Sequence, residues 1–271
     1  MAQDPQRHIT NHLLTTKSLP VSSTWLSQFL STQRLATTPL SAVTQTALFR
    51  ILASDFTTSI SASSQSTLLP IDISDPAVKE RRLAGSIPVQ VLDIEDISTS
   101  LWSQFEALER VERGEEVRGR QIIRTVDIDE VGGQGTGTPE ATQPPAGRGG
   151  RGGGRGGGAA GRGGNATNTA NTTGGSLHRL VLQDAAGTKV VAIELKKIDG
   201  ISFEKLSIGA KLVLKTGATV ARGIILMEPE TAIVLGGKIE TMHREWRQGR
   251  KARLQAQLER VTADTEGGEG Q

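Results

Sequence analysis

Hydrophobic residues in the first 56 positions recur three or four residues apart, which is the spacing of one face of an α-helix. Pro5, the pair Ser22 and Ser23, and Pro39 stand where helix starts are favoured. The pattern therefore predicts three short helices that form a small helical module. Their core-facing positions are Ile9, Leu13 and Leu14 in the first; Trp25, Leu26, Phe29 and Leu30 in the second; and Val43, Ala47, Leu48, Ile51 and Leu52 in the third.

The next seventy residues combine helical spacing with the alternating spacing of β-strands. Residues 74–76 (Ser-Asp-Pro) are typical of a helix start and predict a short helix over 77–83. Apolar positions then alternate over residues 87–94, which predicts a strand. Helical spacing returns over 98–113, ending at Gly114, and a second strand is predicted over 121–128.

Strand patterns follow one another closely after residue 176, with a hairpin turn at 184–187 and one helical turn at 201–206. A basic helix is predicted over 239–258, before a polar, acidic tail. Five or six short strands with little helix between them are typical of an OB-fold barrel. We predict an α+β fold: a helical module and linker (1–84), a five-stranded OB-fold barrel (85–238), and a C-terminal helix with its tail (239–271). The predicted strands span 177–182, 190–195, 211–215, 223–227 and 232–235.

A glycine- and arginine-rich insertion at about residues 131–176 interrupts the barrel, and it contains more than half of the 32 glycines. Glycine loses the most backbone freedom on ordering, and little apolar surface is present to compensate, so we expect this segment to be disordered. A loop of this length inside a compact domain indicates a functional loop. Arginines spaced by glycine can contact successive phosphates and stack on bases, so we predict nucleic-acid contact there. The alternative is an inert spacer. The arginines are Arg148, Arg151, Arg155 and Arg162.

Composition narrows the chemistry. The chain has no cysteine, which excludes disulfides and thiolate chemistry, and the net charge of +2 says little about partners. The N-terminus lacks an apolar signal-peptide core, and no apolar run is long enough to span a bilayer, so we expect a soluble, intracellular protein without a membrane partner. His8 and His12 lie four residues apart, but with no third ligand near we expect two solvated histidines.

No pattern indicates catalysis. Gly152, Gly154 and Gly157 match G-x-G-x-x-G, but no strand precedes them and no helix follows, so a nucleotide site is not predicted. The four histidines lack a Ser and Asp pattern, so we expect neither an enzyme nor a cofactor. None of the eight Phe and Trp residues falls on a predicted barrel strand. Because OB folds that hold single strands use aromatic platforms, the aliphatic barrel face favours a protein ligand over bases.

The chain resembles the RecQ-mediated genome instability protein 1 family in several segments. The sharpest is residues 222–229 (RGIILMEP) followed by Leu235, Gly236 and Gly237. Residues 89–94, 180–184 and 209–212 also match the pattern. The resemblance extends from about residue 13 to residue 242. The Arg-Gly-Gly runs of the insertion depart from the family pattern, which leaves open whether its middle contacts protein, DNA or neither.

The resemblance implies a nuclear, non-catalytic subunit that binds topoisomerase III. With a RecQ-family helicase, such a subunit promotes decatenation and the dissolution of double Holliday junctions, while its insertion modulates the topoisomerase gate. DNA contact would be weak or made through the complex. The flanks of the insertion are then the expected partner contacts: Ile122, Ile123, Val126, Leu177, Leu180 and Leu182.

Two alternatives stay open on the sequence. The chain could be a free single-stranded DNA- or RNA-binding protein that uses the OB fold and the Arg-Gly-Gly segment. The basic C-terminal helix could contact DNA or direct nuclear import, although a solvated helix face is the favoured explanation of its charge.

Overall fold

The computed structural model describes residues 4–35, 37–114, 116–117, 120–121 and 176–268. Four helices open the chain, and the first three confirm the prediction from spacing. Asp4 and Ser22 cap the first two through their side chains, and Pro39 occupies the N-cap of the third. The helices are α1 (Pro5–Lys17), α2 (Ser23–Ser31), α3 (Leu40–Ala53) and the single turn α4 (Phe56–Ser59).

Ten strands and two further helices complete the described chain. The strands are β1 (Arg81–Arg82), β2 (Ile87–Asp96), β3 (Glu116–Val117), β4 (Arg120–Gln121), β5 (His178–Gln183), β6 (Lys189–Glu194), β7 (Lys211–Leu214), β8 (Thr219–Ala221), β9 (Ile224–Met227) and β10 (Ala232–Gly236). Helix α5 (Leu101–Glu112) follows β2, and α6 (Glu240–Gly268) ends the described chain. The last helix therefore extends ten residues beyond the predicted end at 258.

The predicted helix at 77–83 is wrong. The Asp75 carboxylate accepts the Ala77 N–H and forms a turn, and the chain then adds the two-residue strand β1 to the edge of the sheet beside β8. Gly223 approaches the Ser74 carbonyl so closely that an added Cβ would lie 2.6 Å from its oxygen. This tertiary contact, with the β1 pairing, overrides the local helix signal.

Eight strands form one sheet in the order β1-β8-β9-β6-β5-β2-β7-β10, with β6 and β9 parallel and every other pair antiparallel. Strands β9 and β10 lie five places apart in this order, which is about 24 Å in a flat sheet. The chain from Met227 to Ala232 spans at most about 18 Å. It also makes a tight turn, because the Ala232 N–H donates to the Glu228 carbonyl. The sheet is therefore rolled, as the predicted OB fold requires.

The long strand β2 is central to the roll. Its first half pairs with β7 and its second half with β5, and the register shifts between Val91 and Asp93. Such a bulge bends a strand and increases its twist. The segment between β2 and β5, which contains α5 and residues 122–175, is thus inserted between the first two strands of the barrel.

Two apolar cores lie on either side of a buried polar contact. The first is inside the barrel and the second is inside the helical module, and Ala185 of the β5–β6 turn enters the second. Between them, the amide of Gln90 donates to Asp55 and Gln183 and accepts from the Phe56 N–H and the Lys211 ammonium, all at 2.9–3.0 Å. One side chain therefore joins the start of α4 to β2, β5 and β7.

Candidate protein-binding surface

The outer face of β5, β6 and β9 is aliphatic. Side chains on a strand alternate between the two faces of a sheet, and here the inward residues are buried in the barrel core while the outward ones stay partly exposed. We call the outward aliphatic residues the outer patch: Val181, Val191, Ile193, Ile224 and Leu226.

Strand register makes the outer patch continuous. Val191 stands opposite Val181 on one side and Ile224 on the other, and Ile193 stands opposite Leu226. Cross-strand neighbours on one face of a sheet are about 5 Å apart, so the five side chains form one aliphatic surface across three strands. The centre of the patch is therefore on β6.

Charged pairs and one exposed leucine lie at one end of the patch. Arg179 donates to Glu95 at 2.8 Å, and Lys196 lies 3.0 Å from Glu228, whose carboxylate raises the pKa of that ammonium. Leu195 follows β6 and is 49% exposed. An apolar centre with a charged rim is the general anatomy of a protein–protein interface.

The C-terminal root of the insertion lies beside this surface. The Leu177 N–H donates to Ser98 Oγ at 2.8 Å, and the Lys197 ammonium donates to the Ser176 carbonyl at 3.0 Å. Next to it, the buried Glu194 carboxylate lies 2.7 Å from His178 Nδ1 and accepts the His178 N–H at 2.8 Å. The point where the chain re-enters the barrel is thus held by side chains from β6 and from the loop after it.

The predicted contact residues fall into three groups. Leu180 and Leu182 have 0% exposure in the barrel core, so the prediction of partner contact is wrong for these two side chains, which stabilise the fold instead. Leu177 is partly exposed at the root. The remaining predicted residues lie outside the described part of the chain: Ile122, Ile123, Val126, Arg148, Arg151, Arg155 and Arg162.

Aromatic residues are absent from the strands of the described barrel, as the sequence predicted, but a cluster lies next to it. The Phe203 ring stacks on Trp246 at 6.2 Å between centroids and meets the His178 ring edge-on at 5.5 Å. The Arg250 guanidinium lies 4.2 Å from the centre of the Phe203 ring. Sequence reasoning missed this cluster, because Phe203 and Trp246 are far apart in the chain and neither has a periodic partner.

Metal-binding clusters and membrane-spanning helices are both absent from the residues that the structure describes. No group of three or more His, Cys, Asp or Glu side chains that could hold a metal ion occurs among them. The His8 and His12 rings stack at 6.2 Å on consecutive turns of α1. Within the same described ranges, no helix is long and apolar enough to cross a bilayer.

A helical module in front of a rolled sheet with an insertion between its first two strands defines an OB-fold protein with an accessory N-terminal domain. Comparison of families agrees with this class. Residues 13–59 match the family described as "RMI1, N-terminal helical domain", and residues 69–250 match "RMI1, N-terminal OB-fold domain". The chain belongs to the RMI1 family.

A curated relative agrees with the family. The chain is 24% identical over 168 residues to "RecQ-mediated genome instability protein 1" of Schizosaccharomyces pombe. The aligned part covers 61% of this chain and 61% of the relative, so the chain spans about three fifths of the length of the relative it matches.

Proposed function

We propose that the chain is a non-catalytic accessory subunit that binds topoisomerase III through the outer patch. The observation that carries the proposal is the continuity of five aliphatic side chains across β5, β6 and β9, beside the root of the insertion. Burial of aliphatic surface is the main favourable term in protein association. A patch without aromatic platforms suits a protein ligand better than single-stranded bases.

The insertion at 131–176 supplies the second part of the proposal. Its C-terminal end lies beside the barrel, where Lys197 and Ser98 hold residues 176 and 177. A subunit bound through the outer patch would present this segment to the topoisomerase gate. A segment that contacts one gate conformation more strongly than the other shifts the equilibrium between them, and no catalytic group is needed.

Membership of the family supports a proposal for the cellular role. The relative from Schizosaccharomyces pombe bears a name that refers to RecQ-mediated genome instability. We place this chain with a RecQ-family helicase and topoisomerase III in the nucleus, where the complex dissolves double Holliday junctions and decatenates DNA. DNA contact by this subunit is weak or is made through the complex.

Titration with purified topoisomerase III tests the proposal. Ile193→Glu and Leu226→Glu each place a charge inside the outer patch and are expected to weaken binding about thirtyfold or more, the effect of losing an interface hot spot. Ile233→Glu is the matched control, because Ile233 is 43% exposed on β10, outside the patch. Equal affinities for all three variants, each with an unchanged melting temperature, would exclude the outer patch as the binding surface.

A free single-strand-binding protein is the second candidate, and the four glycine-spaced arginines of the insertion favour it. It requires tight binding of oligo-dT or of a matched RNA without any protein partner. Changing Arg148, Arg151, Arg155 and Arg162 together to Ala would then abolish binding, while Ile193→Glu would leave it unchanged.

A further inference from the structure

A groove of about 570 Å³ lies between the end of β2, the start of α5 and the middle of α6. Its surface is largely apolar, although it opens to solvent: Ile97 is 48% exposed and Val261 is 54% exposed. The other apolar lining residues are Ile94, Leu101, Phe203, Trp246 and Leu254. Exposed aliphatic side chains that line a concave surface between helices are typical of a site for an apolar ligand group.

The wall formed by β2 is acidic, but its carboxylates are engaged within the protein. Asp93 accepts from the Trp246 indole N–H and the Ile94 N–H. Glu95 accepts from Arg179 and Gln257, and Asp96 accepts from the Ser98 N–H and the Thr99 hydroxyl. These interactions tie β2 to α6 and β5 and order the turn before α5, and they occupy the carboxylate oxygens of the β2 wall.

The wall formed by α6 is basic. Arg253 and Arg260 are exposed and stand seven residues apart, on the helix face that borders the groove. Two residues at this spacing lie on the same side of a helix, about 10 Å apart. The groove therefore combines an apolar surface with three arginines along one side, of which Arg253 and Arg260 are exposed. This combination is complementary to a segment that carries both aliphatic and acidic side chains.

The same geometry disfavours nucleic acid in the groove. Single-strand binders stack bases on open aromatic faces. Here the faces of Phe203 and Trp246 lie against each other and under guanidinium groups, with Arg250 at 4.2 Å from the Phe203 centre and Arg253 at 5.5 Å from the Trp246 centre. Aliphatic residues such as Ile97 and Val261 offer no platform for a base.

We propose that this groove binds an amphipathic segment of a partner protein, with aliphatic residues seated against Ile97, Leu254 and Val261 and carboxylates paired with Arg253 and Arg260. This inference does not depend on the function proposed for the outer patch. Helix-in-groove recognition of this kind uses apolar anchors for affinity and flanking charges for orientation.

A display library of random 16-residue peptides, selected on the immobilised full chain, supplies the probe. The expected peptides contain Leu or Ile together with Asp or Glu. Fluorescence polarisation with the strongest peptide should show affinity reduced about tenfold or more by Arg253→Glu combined with Arg260→Glu, since two attractions become repulsions. Arg253→Gln combined with Arg260→Gln should reduce peptide affinity by a smaller factor. This milder pair replaces the charge reversal if the latter impairs folding.

Arg244→Glu combined with Arg247→Glu is the matched control, because it makes the same charge change on exposed residues of α6 that do not line the groove. This control should keep affinity within about twofold. The proposal is overturned if no groove-dependent peptide is selected or if the control pair weakens binding as much as the groove pair. It is also overturned if 20-nucleotide oligo-dT, rather than a peptide, binds in a manner that Arg253 and Arg260 control. Ile193→Glu should leave peptide binding unchanged, which separates this test from that of the outer patch.

Discussion

Lys211 donates through its ammonium to Gln90 Oε1 at 3.0 Å, and both side chains have 0% exposure between the barrel and the helical module. Burial lowers the pKa of Lys211 to about 7, because an ammonium loses its hydration there, while the nearby Asp55 carboxylate offsets part of this effect. The ammonium also lies 4.6 Å from the centre of the Phe56 ring. A buried lysine costs stability, and we expect this one to contribute specificity to the docking of the module on the barrel.

The stability of the chain should depend on this lysine over a defined pH range. Between about pH 7 and the unfolded-state pKa of about 10.4, the folded state binds fewer protons at Lys211 than the unfolded state, so its contribution to stability rises with pH. Below pH 7 Lys211 is protonated in both states, so the full cost of burying its ammonium remains. Lys211→Met should raise the free energy of unfolding at pH 6.5 by an amount of the order of a few kcal/mol, and the gain should shrink towards pH 9.5.

Urea denaturation at several pH values measures this effect. Lys215→Met is the control, since Lys215 follows β7 and is partly exposed. If Lys211→Met changes the free energy of unfolding by the same amount at pH 6.5 and at pH 9.5, burial does not lower the pKa of Lys211.

Glu194 is a second buried side chain with several hydrogen-bond partners. Its carboxylate accepts the main-chain N–H groups of His178 and Ile198 at 2.8 and 3.0 Å and lies 2.7 Å from His178 Nδ1. Glu194→Ala leaves these groups without an acceptor and should cost about 3–5 kcal/mol of stability, measured by chemical denaturation. Glu194→Gln keeps one oxygen and should cost less. Glu204→Ala is the control, because Glu204 is exposed. If Glu194→Ala lowers the free energy of unfolding no more than Glu204→Ala does, the hydrogen bonds of Glu194 do not stabilise the fold.

Two adjacent glycines test how the helical module docks on the barrel. Gly236 and Gly237 both have positive φ, at 82° and 91°. A Cβ on Gly236 would meet nothing within 4 Å, whereas one on Gly237 would lie 2.3 Å from the Leu52 carbonyl oxygen of α3. Gly236→Ala should cost about 1–2 kcal/mol for backbone strain alone. Gly237→Ala adds displacement of α3 and should cost about 1–3 kcal/mol more in thermal denaturation. Equal losses of stability in the two variants would mean that α3 does not pack against this turn.

Periodicity predicted most of the fold, because the helices and longer strands bury one face each. It failed where tertiary contacts decide the local structure. Strands β1 and β8 have two and three residues, too few for a pattern, and they exist through pairing with each other and with β9. In α5, the apolar Trp102 is 60% exposed, while the polar Gln104 is buried because its amide donates to the Asp96 and Thr99 carbonyls.

The candidate surfaces were harder to predict than the fold. Alternation on β5 and β6 indicated an aliphatic outer face. The choice of Leu180 and Leu182 as contact residues was mistaken, because these side chains point into the barrel and the residues between them point outwards. A single strand pattern shows that two faces exist and does not show which face meets the core. The groove on α6 depends on Ile97, Phe203 and Arg253, which the fold brings together from three separate segments, so no local pattern could indicate it.

Decatenation by topoisomerase III, measured with saturating amounts of the full chain and of a variant lacking residues 132–175, tests the central claim most directly. Because the outer patch is intact in the variant, it should bind the topoisomerase with unchanged affinity, yet it should lose the stimulation that the full chain gives. Equal stimulation by both proteins, or no effect of the full chain on decatenation, would contradict the account.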